Sequence, residues 1–197
     1  MTAPDPLLAV ESTVRLLAAR ARAALRIPSV PDYAPEPADH PHDERLQRLA
    51  RVRDTLERAR ELLEHGGWTA GGWFTVRADG GARAVSTVEA LALRRAPSGD
   101  QVVGSCLVGA LLRLVDDPDT ATSVRDVWSS VDELHEALRE QRGQWALPVG
   151  RVLPPSERHG RLRELTRYND APGRTRQQVL DLVDRAVART IVGACRP

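Results

Sequence analysis

The sequence predicts a mainly α fold, a compact helical bundle with one small β-hairpin, on three observations. Apolar residues make up 42% of the 197 positions while aromatic ones make up only 4%, so the core must be built from Leu, Val and Ala, which suit closely packed helices better than a sheet. Apolar positions recur every three or four residues in several windows, the period of one helix face. One window alone, residues 68–86, has short apolar runs on either side of Asp79-Gly80-Gly81, a turn between two strands.

The elements follow in order. Leu7, Val10, Val14, Leu17, Ala18, Ala21 and Leu25 form a first helical stripe with Arg opposite. Pro28, Pro31, Pro35, Pro37 and Pro41 then remove backbone donors and bias their neighbours away from helix, which makes an extended arm. Residues 1–43 are therefore expected as an N-terminal helix and Pro-rich arm, and residues 44–197 as the helical core domain. Asp43 is the expected N-cap of a helix carried by Leu46, Leu49, Val52, Leu56, Ala59 and Leu63 and ended by Gly66-Gly67. After the hairpin, Gln101 to Val115 is almost continuously apolar and reads as one buried central helix. Val124, Val127, Val131, Leu134 and Leu138 mark another helix closed by Gly143, and Leu162 and Leu165 a short one after Pro154-Pro155. Val179, Leu182, Val183, Ala186, Val187 and Ile191 form the last stripe, which Thr175 and Gln178 open with the spacing of a capping box.

Composition excludes several functions. All 28 basic residues are Arg, balanced by 27 acids for a net charge of +1, so no global field draws the chain to nucleic acid or an anionic membrane. Leu7 to Leu25 carries Glu11, Arg15, Arg20 and Arg22, too many charges for a membrane span or signal core. Cys106 and Cys195 do not make a disulfide framework, and a reducing cytoplasmic location is expected. No phosphate loop, dinucleotide fingerprint, nucleophile elbow or zincin pair occurs, and no cofactor is expected. Asp39, His40, His42 and Asp43 include ligand types, but around Pro41 they fit no standard metal-site spacing and read as linker and helix cap. The Arg excess between Ser156 and Arg176 lacks aromatic interleaving and reads as a solvated face.

Three segments could carry chemistry. Tyr168-Asn169-Asp170-Ala171-Pro172-Gly173-Arg174-Thr175 sets turn formers, a carboxylate, an amide and a guanidinium before a helix N-terminus. Either Asn169 and Asp170 bond local backbone around a Pro-Gly turn, or Tyr168, Asn169 and Arg174 bind a ligand beside Asp170. Cys106 follows Gly104-Ser105; with Ser105 as cap it would be a first-turn thiolate, and otherwise it is a small core residue beside Gly109 and Ala110. Trp68 and Trp73, with Thr69-Ala70-Gly71-Gly72 between them, line a pocket or anchor a loop.

The 168–175 run is similar to the Trp-Asn-Asp-Ala-Pro-Gly-Arg-Thr segment that ends an uncharacterised actinobacterial domain-of-unknown-function family. In that family a Gly-Trp element precedes a Cys-x-x-Gly-Ala-Leu helix, and Gly67-Trp68 and Cys106 to Leu111 resemble those parts. The resemblance covers roughly residues 46–192; it departs in having Tyr168 for Trp, a longer stretch between Trp68 and Cys106, and the N-terminal extension. It implies a shared fold and origin and carries no activity. From the residues, the leading expectation is a small cytosolic accessory protein that binds a small molecule or protein partner through Trp68, Trp73, Cys106 and the 168–175 turn. The rival is a cofactor-independent tailoring enzyme of specialised metabolism, with Asp170 as general acid or base, Arg174 holding an anion and Cys106 as nucleophile. A third reading is a regulatory protein that holds another protein with its Arg-faced helices.

Overall fold

The computed structural model describes residues 42–78, 81–85, 102–115, 122–151 and 153–195. The expected N-terminal helix and most of the Pro-rich arm, Asp39 and His40 included, lie outside the described residues. The described elements are helix α1 (His42–His65), strands β1 (Phe74–Ala78), β2 (Gly81–Val85) and β3 (Val102–Ser105), and helices α2 (Leu107–Val115), α3 (Val124–Gln141), α4 (Pro155–Asn169) and α5 (Arg176–Ala194). The fold is mainly α with a small antiparallel sheet, as the periodicity predicts.

Helix α1 buries Leu49, Val52, Leu56, Ala59 and Leu63, the predicted stripe, against α2, α3 and α5. It begins at His42, so Asp43 lies in the first turn beside the positive end of the dipole and is not the cap. It ends at His65, and Gly67 takes φ +88° where a Cβ would lie 2.7 Å from the Val103 carbonyl oxygen. Only glycine combines that dihedral with that approach.

The hairpin forms with Phe74 opposite Val85 and Ala78 opposite Gly81; its Asp79-Gly80 connection lies outside the described residues. A third strand, β3, pairs antiparallel with the other edge of β1, Phe74 opposite Ser105, giving the order β2-β1-β3. This corrects the expectation of one helix over Gln101–Val115. The apolar run is two elements, because Val102 to Ser105 completes hydrogen bonding with β1 before the chain turns at Cys106 into α2, which packs in the interior. A continuous apolar run has no period of its own, so length was its only guide.

Helix α3 opens with a capping box between Ser123 and Asp126, and Arg142 and Gly143 end it, Gly143 at φ +69°. Helix α4 runs for 15 residues from Pro155, longer than expected, and takes Tyr168 and Asn169 into its last turn. The Thr175–Gln178 capping box opens α5 as predicted.

Between α3, α4 and α5 lies a buried ionic layer that the charge pattern did not suggest. Arg161 of α4 meets Glu136 at 2.5 Å and Asp132 at 3.6 Å, Arg158 meets Asp132 at 3.5 Å, and Arg189 of α5 binds Glu133 at 3.2 Å and also Glu140. Arg158 and Arg161 are thus 8% and 6% exposed, a correction to the solvated face expected for this segment. The acids also hold the chain that links α3 to α4: the Leu147 and Gly150 amides donate to Glu136 and Glu133 at 2.7 and 2.8 Å.

Burial pushes the Asp132 carboxyl up to about 6, with Arg158 and Arg161 offsetting part of that and Glu133 and Glu136 adding to it. Glu136 is held down to about 2: burial opposes its charge, but His135, the Leu147 amide and Arg161 outweigh it. A carboxyl raised above its unfolded value binds its proton first in the folded state, so its contribution to stability grows as pH falls from about 6 towards 4. Asp132→Asn is expected to remove that gain, on the order of 2 kcal/mol, flattening the pH 4–6 limb of a urea-unfolding stability profile. An unchanged profile would contradict this assignment.

Candidate functional site

Helix α2 starts in the interior, where its first amide groups have neither water nor a preceding turn to bond. The Leu107 amide donates to Asn169 Oδ1 at 3.1 Å, across 62 residues of chain. The Gly109 amide donates to Cys106 Sγ at 3.3 Å, and the Ala110 amide to the Cys106 carbonyl at 2.9 Å. The N-capping residue of α2 is therefore Cys106 and not Ser105, whose hydroxyl is buried without a hydrogen-bond partner among the described residues.

Asn169, fully buried at the end of α4, uses all its hydrogen-bonding capacity. Its Oδ1 also accepts from Trp68 Nε1 at 2.8 Å, and its Nδ2 donates to the Thr69 carbonyl at 3.0 Å and to Asp170 Oδ1 at 2.8 Å. Asp170 Oδ1 in turn accepts from the Gly71 amide at 3.0 Å. One amide thus joins the 68–73 loop, the start of α2 and the 168–175 turn.

Close backbone contact completes the junction. The Cys106 amide donates to the Trp73 carbonyl at 2.9 Å, and a Cβ at Gly109 would stand 2.2 Å from that same oxygen. The Thr69 amide donates to the Ser105 carbonyl at 3.1 Å, and the Ser105 amide to Gly67 at 3.0 Å. The indoles of Trp68 and Trp73 are half-buried against the helical core.

The 168–175 turn carries a second cluster. The Arg174 guanidinium stacks on the Tyr168 ring, 3.8 Å from its centroid, while Nε donates to the Tyr168 carbonyl at 2.9 Å and Nη1 to Gln178 Oε1 at 3.2 Å. Tyr168 is buried, and its hydroxyl donates to the Gln178 carbonyl at 2.8 Å. Arg174 therefore ties the turn to α5 through a ring and an amide rather than through an acid.

The structure brings Trp68, Trp73, Cys106, Asn169 and Asp170 into one junction, with Tyr168 and Arg174 on its α5 side. Burial pushes the Cys106 thiol up to about 11, with nearby Asp170 adding to the rise and backbone amides opposing it, so the sulfur is a protonated cap and hydrogen-bond acceptor. Asp170 is exposed; its Oδ1 is occupied, and Oδ2 has no partner among the described residues. Among those residues no three His, Cys, Asp or Glu side chains gather to hold a metal, and no helix is long and apolar enough to cross a membrane. Gly109 is legible as a small residue beside Cys106, but the close approach it permits is to the Trp73 carbonyl; the part of Thr69, whose carbonyl and amide both join the network, has no signal in the sequence.

Asn169→Ala strands the buried Leu107 amide together with the half-buried Trp68 Nε1 and Thr69 carbonyl, and a loss of about 3–5 kcal/mol is expected from several unsatisfied groups at 1–3 kcal/mol each. Urea unfolding followed by indole fluorescence measures it. A loss below about 1 kcal/mol, the net value of one ordinary hydrogen bond, would show that the junction does not depend on this amide.

No curated protein and no solved structure matches the chain. A family model, the family of unknown function DUF6197, matches residues 47–189, from the first turns of α1 through the junction and most of α5. The match covers the elements that meet at Asn169, and the chain belongs to DUF6197.

Proposed function

We propose that this protein is an accessory module that binds a protein partner with the surface formed by the 68–73 loop and the 168–175 turn. One observation carries the reading: Asn169 bonds both segments and α2 at once, so the two exposed loops are held in one fixed arrangement before any partner arrives. Preorganised loops lose little conformational entropy on binding. A small ligand needs free polar groups in a concavity, whereas the Trp68 indole is engaged with Asn169 and the Arg174 guanidinium with the Tyr168 carbonyl and Gln178. What faces outward is Ala70, Gly71, Pro172 and Gly173, short enough for another backbone to approach, with Asp170 Oδ2 as an anionic contact. Both cysteines are free thiols, which supports a reducing compartment such as the cytoplasm.

The tailoring-enzyme reading draws less support, since a nucleophilic Cys106 needs a thiolate and access, and this sulfur is buried with its proton held to about 11. Cys106 is accordingly expected to stay unmodified when the folded protein is treated with iodoacetamide at pH 7.5 and mapped by mass spectrometry, and to react once urea unfolds the chain. Rapid native alkylation of Cys106 would restore the enzymatic reading.

Ala70 is exposed, and its one hydrogen bond, accepted from Thr69 Oγ1 at 3.5 Å, is to its backbone carbonyl, so Ala70→Arg is expected to leave the unfolding midpoint unchanged. The tagged variant should lose the proteins that the tagged wild type retains from its own cells. Retention of the same proteins by the variant and by a Pro172→Arg variant would refute the surface.

A further inference from the structure

The last two turns of α5 end in an apolar face. Ala188, Ile191, Val192 and Cys195 are all exposed, Ile191 by 46% and Val192 by 50%, and they stand at i, i+3, i+4 and i+7, the spacing of one side of a helix. The earlier turns present Gln177, Asp181, Asp184 and Arg185 outward, so the stripe is confined to the C-terminal end. Four successive apolar positions on one face are the pattern by which a helix meets another helix.

The chain supplies a candidate for that other helix next to the stripe. Arg45, in the first turn of α1, donates from Nη2 to the Gly193 carbonyl at 2.9 Å, so the chain preceding His42 enters the fold beside the end of α5. Upstream of that point lie Leu7, Val10, Val14, Leu17, Ala18, Ala21 and Leu25, a helical stripe that needs an apolar surface. The 16 residues from Arg26 to Pro41 separate the two; extended, they span about 50 Å at roughly 3.3 Å each, far more than needed to fold back over two turns of helix. A tether of this kind holds its ends at an effective concentration on the order of millimolar, so a small apolar contact suffices to favour docking.

We infer that the 7–25 segment docks as an amphipathic helix on the Ala188, Ile191, Val192 and Cys195 face of α5, forming an intramolecular cover for that surface. The face lies at the opposite end of α5 from the 168–175 turn, so this cover does not depend on the partner surface proposed above.

Cys195 lies within the covered face and reports on it directly. In the full-length protein its alkylation by iodoacetamide is expected to be about tenfold slower than that of a free thiol, the ratio that about 1.4 kcal/mol of docking would produce. The full-length Val14→Glu/Leu17→Glu variant, which charges the upstream stripe and leaves the described core intact, should restore the rapid rate. An Ala18→Cys variant should form an intramolecular disulfide with Cys195 under mild oxidation, read as a faster-migrating monomer. Rapid alkylation of wild-type Cys195 would overturn the proposal, as would protection that survives the double substitution. Protection that rises with protein concentration, with cross-linking between chains, would also overturn it and assign the face to a second copy.

Discussion

The N-terminus of α2 is buried, and a buried helix start has several unbonded amides that the interior must satisfy. Asn169 answers one of them with a side chain from the far end of the domain, and the same oxygen accepts from Trp68 while its nitrogen holds Thr69 and Asp170. Removing the contact would leave donors in an apolar setting, where each unsatisfied group costs more than an ordinary hydrogen bond is worth. The position of the 68–73 loop, the entry of α2 and the end of α4 therefore depend on one amide. Cys106 serves beside it as the sulfur cap of the same helix.

The sheet is positioned by the same junction. Strand β3 leads directly into α2, and the first turn of α2 approaches the Trp73 carbonyl so closely that position 109 must be glycine. A two-stranded hairpin alone would be marginal; here β3 adds a third strand and anchors one end of the sheet to a helix start that is itself capped from α4. On the other side of the bundle, the ionic layer carries a different burden. Asp132, Glu133 and Glu136 are desolvated, and their arginine partners from α4 and α5 with the Leu147 and Gly150 amides compensate them. Such a layer adds little net stability over an apolar one, but it sets which helices meet and in what register, because a displaced partner leaves a buried charge alone.

These two polar centres differ in what they leave outside. The ionic layer is enclosed except at Glu140, its other acids and its arginines being buried against each other. The Asn169 junction is enclosed at its centre and open at its edge, where Asp170, Gly71, Pro172 and Gly173 reach solvent. A centre that consumes its own hydrogen-bonding capacity is suited to holding a surface in place, which is the physical basis for reading the 68–73 and 168–175 loops as a recognition platform.

Much of the helical architecture was legible along the chain, because the relevant signals are local. The spacing of Leu49, Val52, Leu56 and Leu63 determined α1, the Thr175–Gln178 pair determined where α5 begins, and Gly143 marked the end of α3. The grouping of Trp68, Cys106 and the 168–175 turn was legible as a set of unusual segments, and their meeting was not. Nothing local separates β3 from α2 in an evenly apolar run; pairing with β1 decided that. Nothing local tells a solvated arginine from Arg158 or Arg161, since the difference lies in acids that α3 brings up from some 25 residues away. Nor does sequence reveal that Asn169 is a buried cap, because a side-chain amide acquires that role only when a distant helix start is placed 3.1 Å from it. Period, caps and breakers thus determined the elements, while desolvation of particular amides and charges, which exists only after packing, decided how those elements are joined.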